Sequence, residues 1–163
     1  MRHKIIVPVK PVMLKPMEGP DYMEIKIQKL HKDAVLPSYE SNGAAGMDLT
    51  TIEQVILSPG ETQLVRTGLS LSIPMGYEGQ IRSRSGLALN GVVVANSPGT
   101  IDSDYRGELR VLLRNVTSGF APIAEGTRVA QLIIAPVEHV IWEETNELSE
   151  TSRGSKGFGS TGA

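Results

Sequence analysis

The sequence predicts an all-β fold, a sandwich or barrel of short strands with at most one short helix. Between residues 52 and 83, short runs of apolar or alternating residues recur, and turn residues such as Pro59-Gly60 separate them. Strands this short and this evenly spaced are typical of β-sandwiches and barrels. No stretch carries the period of a long amphipathic helix. The expected strands in this region are Gln54–Leu57, Glu61–Arg66, Leu69–Ile73 and Tyr77–Arg82.

Length, net charge, cysteine content and the length of the apolar runs exclude several classes of function. A chain of 163 residues is long enough for one domain with its own core. Its net charge of −2 gives neither a broad basic field for nucleic acid nor a polybasic membrane address. The absence of cysteine excludes disulfides, thiolate catalysis and Cys-ligated zinc. Since no apolar run approaches the ~20 residues of a membrane span, we expect a soluble, intracellular protein with no nucleic-acid or membrane partner.

The first 22 residues differ from the rest. The apolar run at 5–7 meets Pro8 at once, which argues against a signal peptide. The alternation that begins after Met23 predicts a strand over Glu24–Leu30. We therefore expect residues 1–22 to be an upstream extension or a cloning remnant. The folded domain is expected to span residues 23–142.

Two motifs place polar residues at turns. Asp48 enters a strand after a run of small residues, where an aspartate is usually a turn cap or a hydrogen-bond buttress. The β alternation stops at Ser85, and 87–89 can form about one helical turn. A serine that heads such a turn can cap it and leave backbone N–H groups free. With Arg84 beside it, the motif is either an anion site or a capped structural turn.

Residues 96–108, which we call the aspartate loop, hold two aspartates, a tyrosine and an arginine. The loop joins the β-type runs 91–95 and 109–113, so the flanks predict a hairpin. Strict alternation would place Asp102 and Tyr105 on opposite faces of a strand. They can serve one pocket only if the chain bends or bulges between them. The alternative is a solvated polar turn.

Two further strands are expected near the end of the domain, at 126–134 and 137–142. Gln131 interrupts the first of them. Because a buried amide needs partners, Gln131 either bonds core backbone or faces a polar pocket.

The end of the chain changes composition sharply. Residues 143–152 carry four carboxylates and no basic residue, which predicts a solvated segment. The glycines at 157–162 match the G-x-G-x-x-G pattern, but no strand precedes them and no helix follows, so a dinucleotide site is rejected. A disordered tail is one reading; the other is a tail that wraps an anion, with Arg153 adding charge and Phe158 stacking on a ligand. Ten extended residues span up to ~33 Å, enough to reach a neighbouring subunit. We call residues 143–163 the C-terminal arm.

Taken together and in order, five stretches of this sequence resemble the trimeric dUTPase family. They are AAGMDLTT (44–51), RSRSGLA (82–88), NSPGTIDSDYRGE (96–108), TRVAQLI (127–133) and RGSKGFGSTG (153–162). The resemblance implies a jelly-roll-like β fold and a homotrimer that exchanges its C-terminal arms, with three active sites at subunit interfaces. It also implies hydrolysis of dUTP to dUMP and pyrophosphate with Mg²⁺ on the triphosphate. This reaction would limit uracil in DNA and supply dUMP for dTMP synthesis.

The resemblance also assigns roles within the aspartate loop. Asp102 is implied as the general base for the water that attacks the α-phosphorus, and such a base contributes roughly 10²–10⁴ in rate. Tyr105 is implied to pack under the deoxyribose and to exclude a ribose 2′-hydroxyl. The residues implied to bind the uracil edge are Asn96, Gly99, Thr100 and Ile101.

Other roles fall on the flanking motifs and the C-terminal arm. The implied phosphate-side residues are Arg84, Ser85, Gly86 and Gln131, with Arg110 lining the nucleotide site. Asp48 is implied to support the metal-water shell or the trimer centre, without direct ligation. In the arm, Arg153 is implied to meet the γ-phosphate and Phe158 to stack on uracil. The remaining arm residues of the implied substrate site are Gly159, Ser160 and Thr161.

Two alternatives stay open at this point. One is a dCTP deaminase of the same trimeric superfamily, against which the aspartate loop and the full arm argue. The other is a non-catalytic nucleotide sensor, against which Asp102 together with Arg153 argues, because pure binding needs no water-activating base.

Overall fold

The computed structural model describes residues 23–157, which form a β fold with one five-residue helix. The early strands are β1 Lys26–Lys29, β2 Met47–Thr50, β3 Val55–Leu57, β4 Thr62–Arg66, β5 Leu69–Ser72 and β6 Tyr77–Arg82. They are followed by helix α1 Ser85–Leu89 and by β7 Val92–Val94, β8 Gly99–Ile101, β9 Arg110–Asn115, β10 Ala121–Ile123 and β11 Arg128–Pro136. The predicted all-β class with at most one short helix is confirmed.

The described strands are arranged in four antiparallel sheets. The largest has the order β2-β11-β6-β8, and a three-stranded sheet has the order β4-β9-β7. Two strand pairs, β1-β5 and β10-β3, complete the set. Nearly all neighbours are distant in sequence, which is why only a folded chain brings the motifs together.

The core follows from two-residue alternation along these strands. In β9, Val111 and Leu113 are fully buried while Arg110 and Arg114 face outward. In β3, Val55 and Leu57 point inward and Ile56 is exposed. Each buried aliphatic side chain stabilises the fold by roughly 1.5–3 kcal/mol. A polar residue, Asn115, is also fully buried, and its side chain bonds the backbone carbonyls of Leu57, Ser58 and Gly119.

One predicted strand is wrong. The expected strand at 137–142 is irregular in the structure, and strand β11 ends before it, at Pro136. Its apolar residues are exposed: Ile141 retains 99% and Trp142 89% of the accessible surface. These apolar side chains therefore form an exposed segment within residues 23–157 rather than part of the core. Among residues 23–157, no helix is both long and apolar enough to cross a membrane.

The aspartate loop differs from the simple hairpin that the sequence predicts. Its flanks do pair as expected, β7 against β9. Between them, however, the chain leaves this sheet and forms β8, which pairs with β6 at the edge of the four-stranded sheet. The loop thus crosses from one sheet to the other and back, and both sheets fix its position.

Candidate active site

Asp102 and Tyr105 line one cavity, because the chain turns between them. The Tyr105 N–H donates to the Asp102 carbonyl at 3.1 Å, closing a turn directly after β8. The bend that a shared pocket requires is therefore present. The cavity has a volume of about 450 Å³. Its lining residues are Leu64, Thr100, Ile101, Asp102, Tyr105, Gly107, Glu108 and Arg110.

The ring of Tyr105 is held from two sides. Its hydroxyl donates to the Glu108 carbonyl at 3.0 Å. Its ring and oxygen lie so close to Gly107 that a Cβ on Gly107 would collide with them. A side chain at position 107 would therefore force the tyrosine ring to move. These two contacts position the partly exposed Tyr105 ring at the cavity wall.

Glu108 is a second carboxylate at this cavity, and its side chain is only 8% exposed. It accepts hydrogen bonds from Arg66 Nε at 3.1 Å, from the Gly68 N–H at 2.9 Å and from Arg110 Nε at 3.2 Å. Burial alone would raise the pKa of Glu108, but the hydrogen bonds from Arg66, Gly68 and Arg110 and the charge of Arg66 outweigh it and lower that pKa. The lowered pKa favours the ionised form of Glu108, in which the carboxylate accepts all three of these hydrogen bonds.

Asp48 holds Arg84 in place on the other motif. Its side chain is 6% exposed, and its two oxygens accept from Arg84 Nε at 2.7 Å and from Arg128 Nη1 at 3.0 Å. Arg84 Nη1 also donates to the Arg128 carbonyl at 3.2 Å. Of the two readings of Asp48, the hydrogen-bond buttress describes this geometry. Charge-assisted bonds of this kind fix the direction of a guanidinium.

The proposed capping by Ser85 is wrong. The N-cap of α1 is Arg84, in extended conformation and without a side-chain cap bond, and Ser85 is already the first helical residue. The helix itself is present where one turn was predicted. Its first N–H groups have no acceptor within a helix this short. A Cβ on Gly86 would meet open space, so that position is accessible from outside the chain.

The structure brings some of the predicted residues together and leaves others apart. Within the part of the chain that is described, Arg84, Ser85, Gly86 and Gln131 do not line the cavity of Asp102. Gln131 is half-buried in β11, opposite Asp48 in β2 and Arg82 in β6.

Asn96 packs directly against Gly99, where a Cβ would lie 3.0 Å from Asn96 Nδ2. Arg153 is exposed and donates to the Lys156 carbonyl at 3.0 Å. Phe158, Gly159, Ser160 and Thr161 lie outside the described residues.

Residues missed by the sequence reasoning also line the cavity. Leu64 lies on β4, 38 positions before Asp102, so no local pattern connects the two. Gly107 and Glu108 belong to the aspartate loop, but the sequence does not predict their contacts. Gly107 lies against Tyr105, and Glu108 bonds the corner at 66–68.

The described residues offer no cluster of three or more His, Asp or Glu side chains that could hold a metal ion. Both oxygens of Asp48 are engaged by guanidinium groups, and this positive surrounding disfavours a cation there.

The family model for dUTPase matches residues 32–162 of this chain, which is most of its length. The chain belongs to the dUTPase family. Among its relatives, the deoxyuridine 5'-triphosphate nucleotidohydrolase of Nautilia profundicola is 53% identical over 141 residues, covering 86% of this chain and 99% of that protein. The enzyme of the same name from Helicobacter pylori strain J99 is 49% identical, with 86% and 97% coverage.

Solved structures agree with this assignment. The dUTPase of Staphylococcus bacteriophage 80alpha, determined with dUpNHpp, superposes with a TM-score of 0.80 at 30% identity, covering 86% of this chain and 99% of that one. A mutant dUTPase from phage phi11 of S. aureus has a TM-score of 0.73 at 26% identity, with 78% and 99% coverage. That second structure was described as revealing how a structural Mg(II) ion is coordinated.

Proposed function

We propose that this member of the dUTPase family hydrolyses dUTP to dUMP and pyrophosphate, with Asp102 as the general base. The observation that carries the assignment to Asp102 is the turn that points Asp102 and Tyr105 into one cavity. The names of the relatives support the reaction, since both curated proteins cited are dUTP nucleotidohydrolases.

In the proposed step, the Asp102 carboxylate accepts a proton from a water molecule as that water attacks the α-phosphorus. The bond between the α-phosphorus and the bridging oxygen breaks, and pyrophosphate leaves with the electron pair. The carboxylate is exposed enough to reach water and lies in a turn fixed by its own backbone. A base positioned in this way contributes roughly 10²–10⁴ in rate.

Base recognition is assigned to the edge of β8. Because β8 is the terminal strand of its sheet, only one of its edges pairs with β6, through Gly99, Thr100 and Ile101. The other edge presents backbone N–H and C=O groups in an extended row. Such a row matches the alternating donor and acceptor groups of a uracil edge, and Asn96 packs beside it. Tyr105 then closes the sugar side and leaves no space for a 2′-hydroxyl.

Phosphate binding is assigned to Arg84, with Ser85, Gly86 and Gln131 beside it. Asp48 engages the Nε of Arg84, so the remaining N–H groups of the guanidinium are directed rather than mobile. Magnesium is placed on the substrate: its positive charge would offset that of the triphosphate oxygens, and no protein-built cluster is required. Asp48 contributes by orienting Arg84.

The proposal includes a homotrimer with shared active sites, and the separation of these groups within one chain supports it. In one chain, Arg84 and Gln131 do not line the cavity of Asp102. The stretch from residue 138 to residue 157 is exposed, including Ile141 and Trp142. We place the cavity of one subunit against the Arg84 motif of a second. The C-terminal arm of a third, with Arg153 and Phe158, closes over the substrate. The division into a 23–142 domain and a 143–163 arm belongs to this proposal.

The test is to incubate the full-length protein with dUTP and with dCTP and to measure pyrophosphate and ammonia. Release of one pyrophosphate per dUTP supports the proposal. Ammonia release from dCTP would instead indicate the deaminase of the same superfamily. Nucleotide binding without either product would indicate a sensor. Light scattering of the same sample gives the mass, and a monomer at micromolar concentration would contradict the trimer.

A further inference from the structure

The return end of the aspartate loop is clamped to the corner between β4 and β5. The Ser70 hydroxyl donates to the Arg106 carbonyl at 2.8 Å, and the Thr67 hydroxyl donates to the Leu109 carbonyl at 2.7 Å. Backbone bonding continues from the Leu109 N–H to the Leu69 carbonyl at 2.7 Å. The corner is therefore a rigid base on which the end of the loop rests.

Glu108 is the charged centre of this clamp. Both of its oxygens lie 3.1 Å from Arg66 Nε, and one also accepts the Gly68 N–H. Its other bond goes to Arg110 Nε at 3.2 Å, so the direction of the Arg110 side chain at the cavity wall is set by Glu108. A buried carboxylate is stable only when its acceptor sites are occupied. Here they are occupied by groups from β4, the corner and β9.

The backbone of the same residue holds the tyrosine. The Glu108 carbonyl accepts the Tyr105 hydroxyl, while Gly107 supports the ring face. A displacement of Glu108 therefore moves two walls of the cavity at once, the Tyr105 ring and the Arg110 guanidinium.

We propose that Glu108 is a positioning residue for substrate discrimination, which fixes Tyr105 and Arg110 against the β4–β5 corner. The inference rests on the proposed function, since it assigns a task in the nucleotide site. It predicts a loss that differs from simple destabilisation: a misplaced Tyr105 admits UTP, whereas a partly unfolded enzyme loses activity toward dUTP and UTP alike.

A matched control exists in Glu53. Its carboxylate accepts the backbone N–H of Arg66 at 2.9 Å, so it too supports the end of β4. Unlike Glu108, it does not line the cavity within the described part of the chain. Both Glu53→Gln and Glu108→Gln remove a charge from the surroundings of Arg66, but only Glu108→Gln releases the cavity wall.

The experiment compares kcat and KM for dUTP and UTP in the wild type, Glu108→Gln and Glu53→Gln, with thermal melting of each. For Glu108→Gln we expect the ratio of kcat/KM for dUTP over UTP to fall about tenfold, with most of the change in KM. Glu108→Asp, which keeps the charge, should recover part of the ratio. Glu53→Gln should keep the wild-type ratio. An unchanged ratio in Glu108→Gln would overturn the inference.

A second variant covers the case in which Glu108→Gln does not fold. Arg66 is 43% exposed in its side chain, so Arg66→Gln removes one of the three partners of the Glu108 carboxylate at modest structural cost. We expect the same direction of change in the ratio, and wild-type discrimination in this variant would contradict the role of Glu108. If the wild type releases no pyrophosphate from dUTP, the proposed function fails and the inference falls with it. If it does and the ratio stays constant, only the inference fails.

Discussion

The aspartate loop and the C-terminal arm are both irregular segments with proposed roles in one reaction, yet this chain treats them in opposite ways. The loop is paired to β6 through β8 and bonded to the β4–β5 corner at its return end. Residues 143–157 of the arm are exposed, and their hydrogen bonds within the described structure are local, such as Thr145 with Glu147.

This difference shows which of the two segments is preorganised before substrate binds: it is the aspartate loop. Groups that act on the reacting atoms must be placed accurately before substrate arrives, because small misplacements cost large factors in rate. A segment that closes over the substrate must be able to leave again, and such segments come from the least stable part of a fold. The chain thus fixes Asp102 and Tyr105 in place, whereas residues 143–157 form only local hydrogen bonds within the described structure. Under the proposed function, the arm would be ordered by substrate and a neighbouring subunit.

The largest effect is expected from the loop itself. Asp102→Asn keeps the shape of the side chain but removes its basicity, so kcat should fall by at least ~10²-fold with nucleotide affinity retained. Turnover and binding of a non-hydrolysable dUTP analogue measure the two terms. Asp104→Asn, in the same turn but outside the cavity lining, is the control. Near-normal turnover of Asp102→Asn would exclude it as the base.

Removal of residues 153–163, the end of the C-terminal arm, tests the other half of the comparison. A chain that ends at Ser152 should lose turnover by about 10²-fold, because closure and correct alignment of the triphosphate are lost. Its melting temperature and the trimer should remain as in the wild type, since residues 143–157 are exposed. Turnover, calorimetry and light scattering check these points. A truncated protein with full activity would mean that residues 153–163 have no role in turnover.

A smaller effect is expected when the sugar wall alone is moved. Gly107→Ala adds a methyl group where the Tyr105 ring lies, so the ring must shift. Discrimination between dUTP and UTP should fall about tenfold, a loss of ~1.4 kcal/mol, while the base Asp102 is untouched. Gly119→Ala, at a position where a Cβ meets open space, is the control. Equal discrimination in both variants would mean that the ring does not select the sugar.

The smallest effect concerns acid stability. The pKa of Glu108 in the folded protein is lowered below 4.5, its usual value. Its ionised form therefore stabilises the fold above pH 4.5, and this contribution is lost as the pH falls through the lowered pKa. Glu108→Gln should reduce the free energy of unfolding at neutral pH, and the difference from the wild type should shrink in acid. Urea denaturation at several pH values measures it; a difference constant with pH would contradict the assignment.

The fold class and most strands could be predicted from the sequence, since alternation and turn residues are local signals. The end of β11 could not, because the run at 137–142 is apolar enough for a strand, but it pairs with no strand among residues 23–157. The sequence also did not predict that β8 would leave the hairpin, because Gly99–Ile101 pairs with β6, a strand some 20 residues earlier.

Some residues of the candidate site could be predicted from the sequence, but the contacts that hold them in place could not. Asp102 and Tyr105 stand in a recognisable motif, whereas Leu64 and the contacts of Glu108 depend on β4, more than 35 residues away. Asp48 could be read as a buttress, but its partner Arg84 emerges only from the packing of β2 near the end of β6. Contacts between strands that are distant in sequence produce no periodic pattern in the sequence, so they cannot be predicted from it.

The membership of β8 in a different sheet from β7 and β9 has a consequence for how this enzyme family can vary. A residue inserted within β8 would have to shift the ladder with β6, and one residue of slip reverses which side chains face the core. Changes of length are accommodated more readily in the turns on either side of β8, at 95–98 and after Ile101, than within the strand itself.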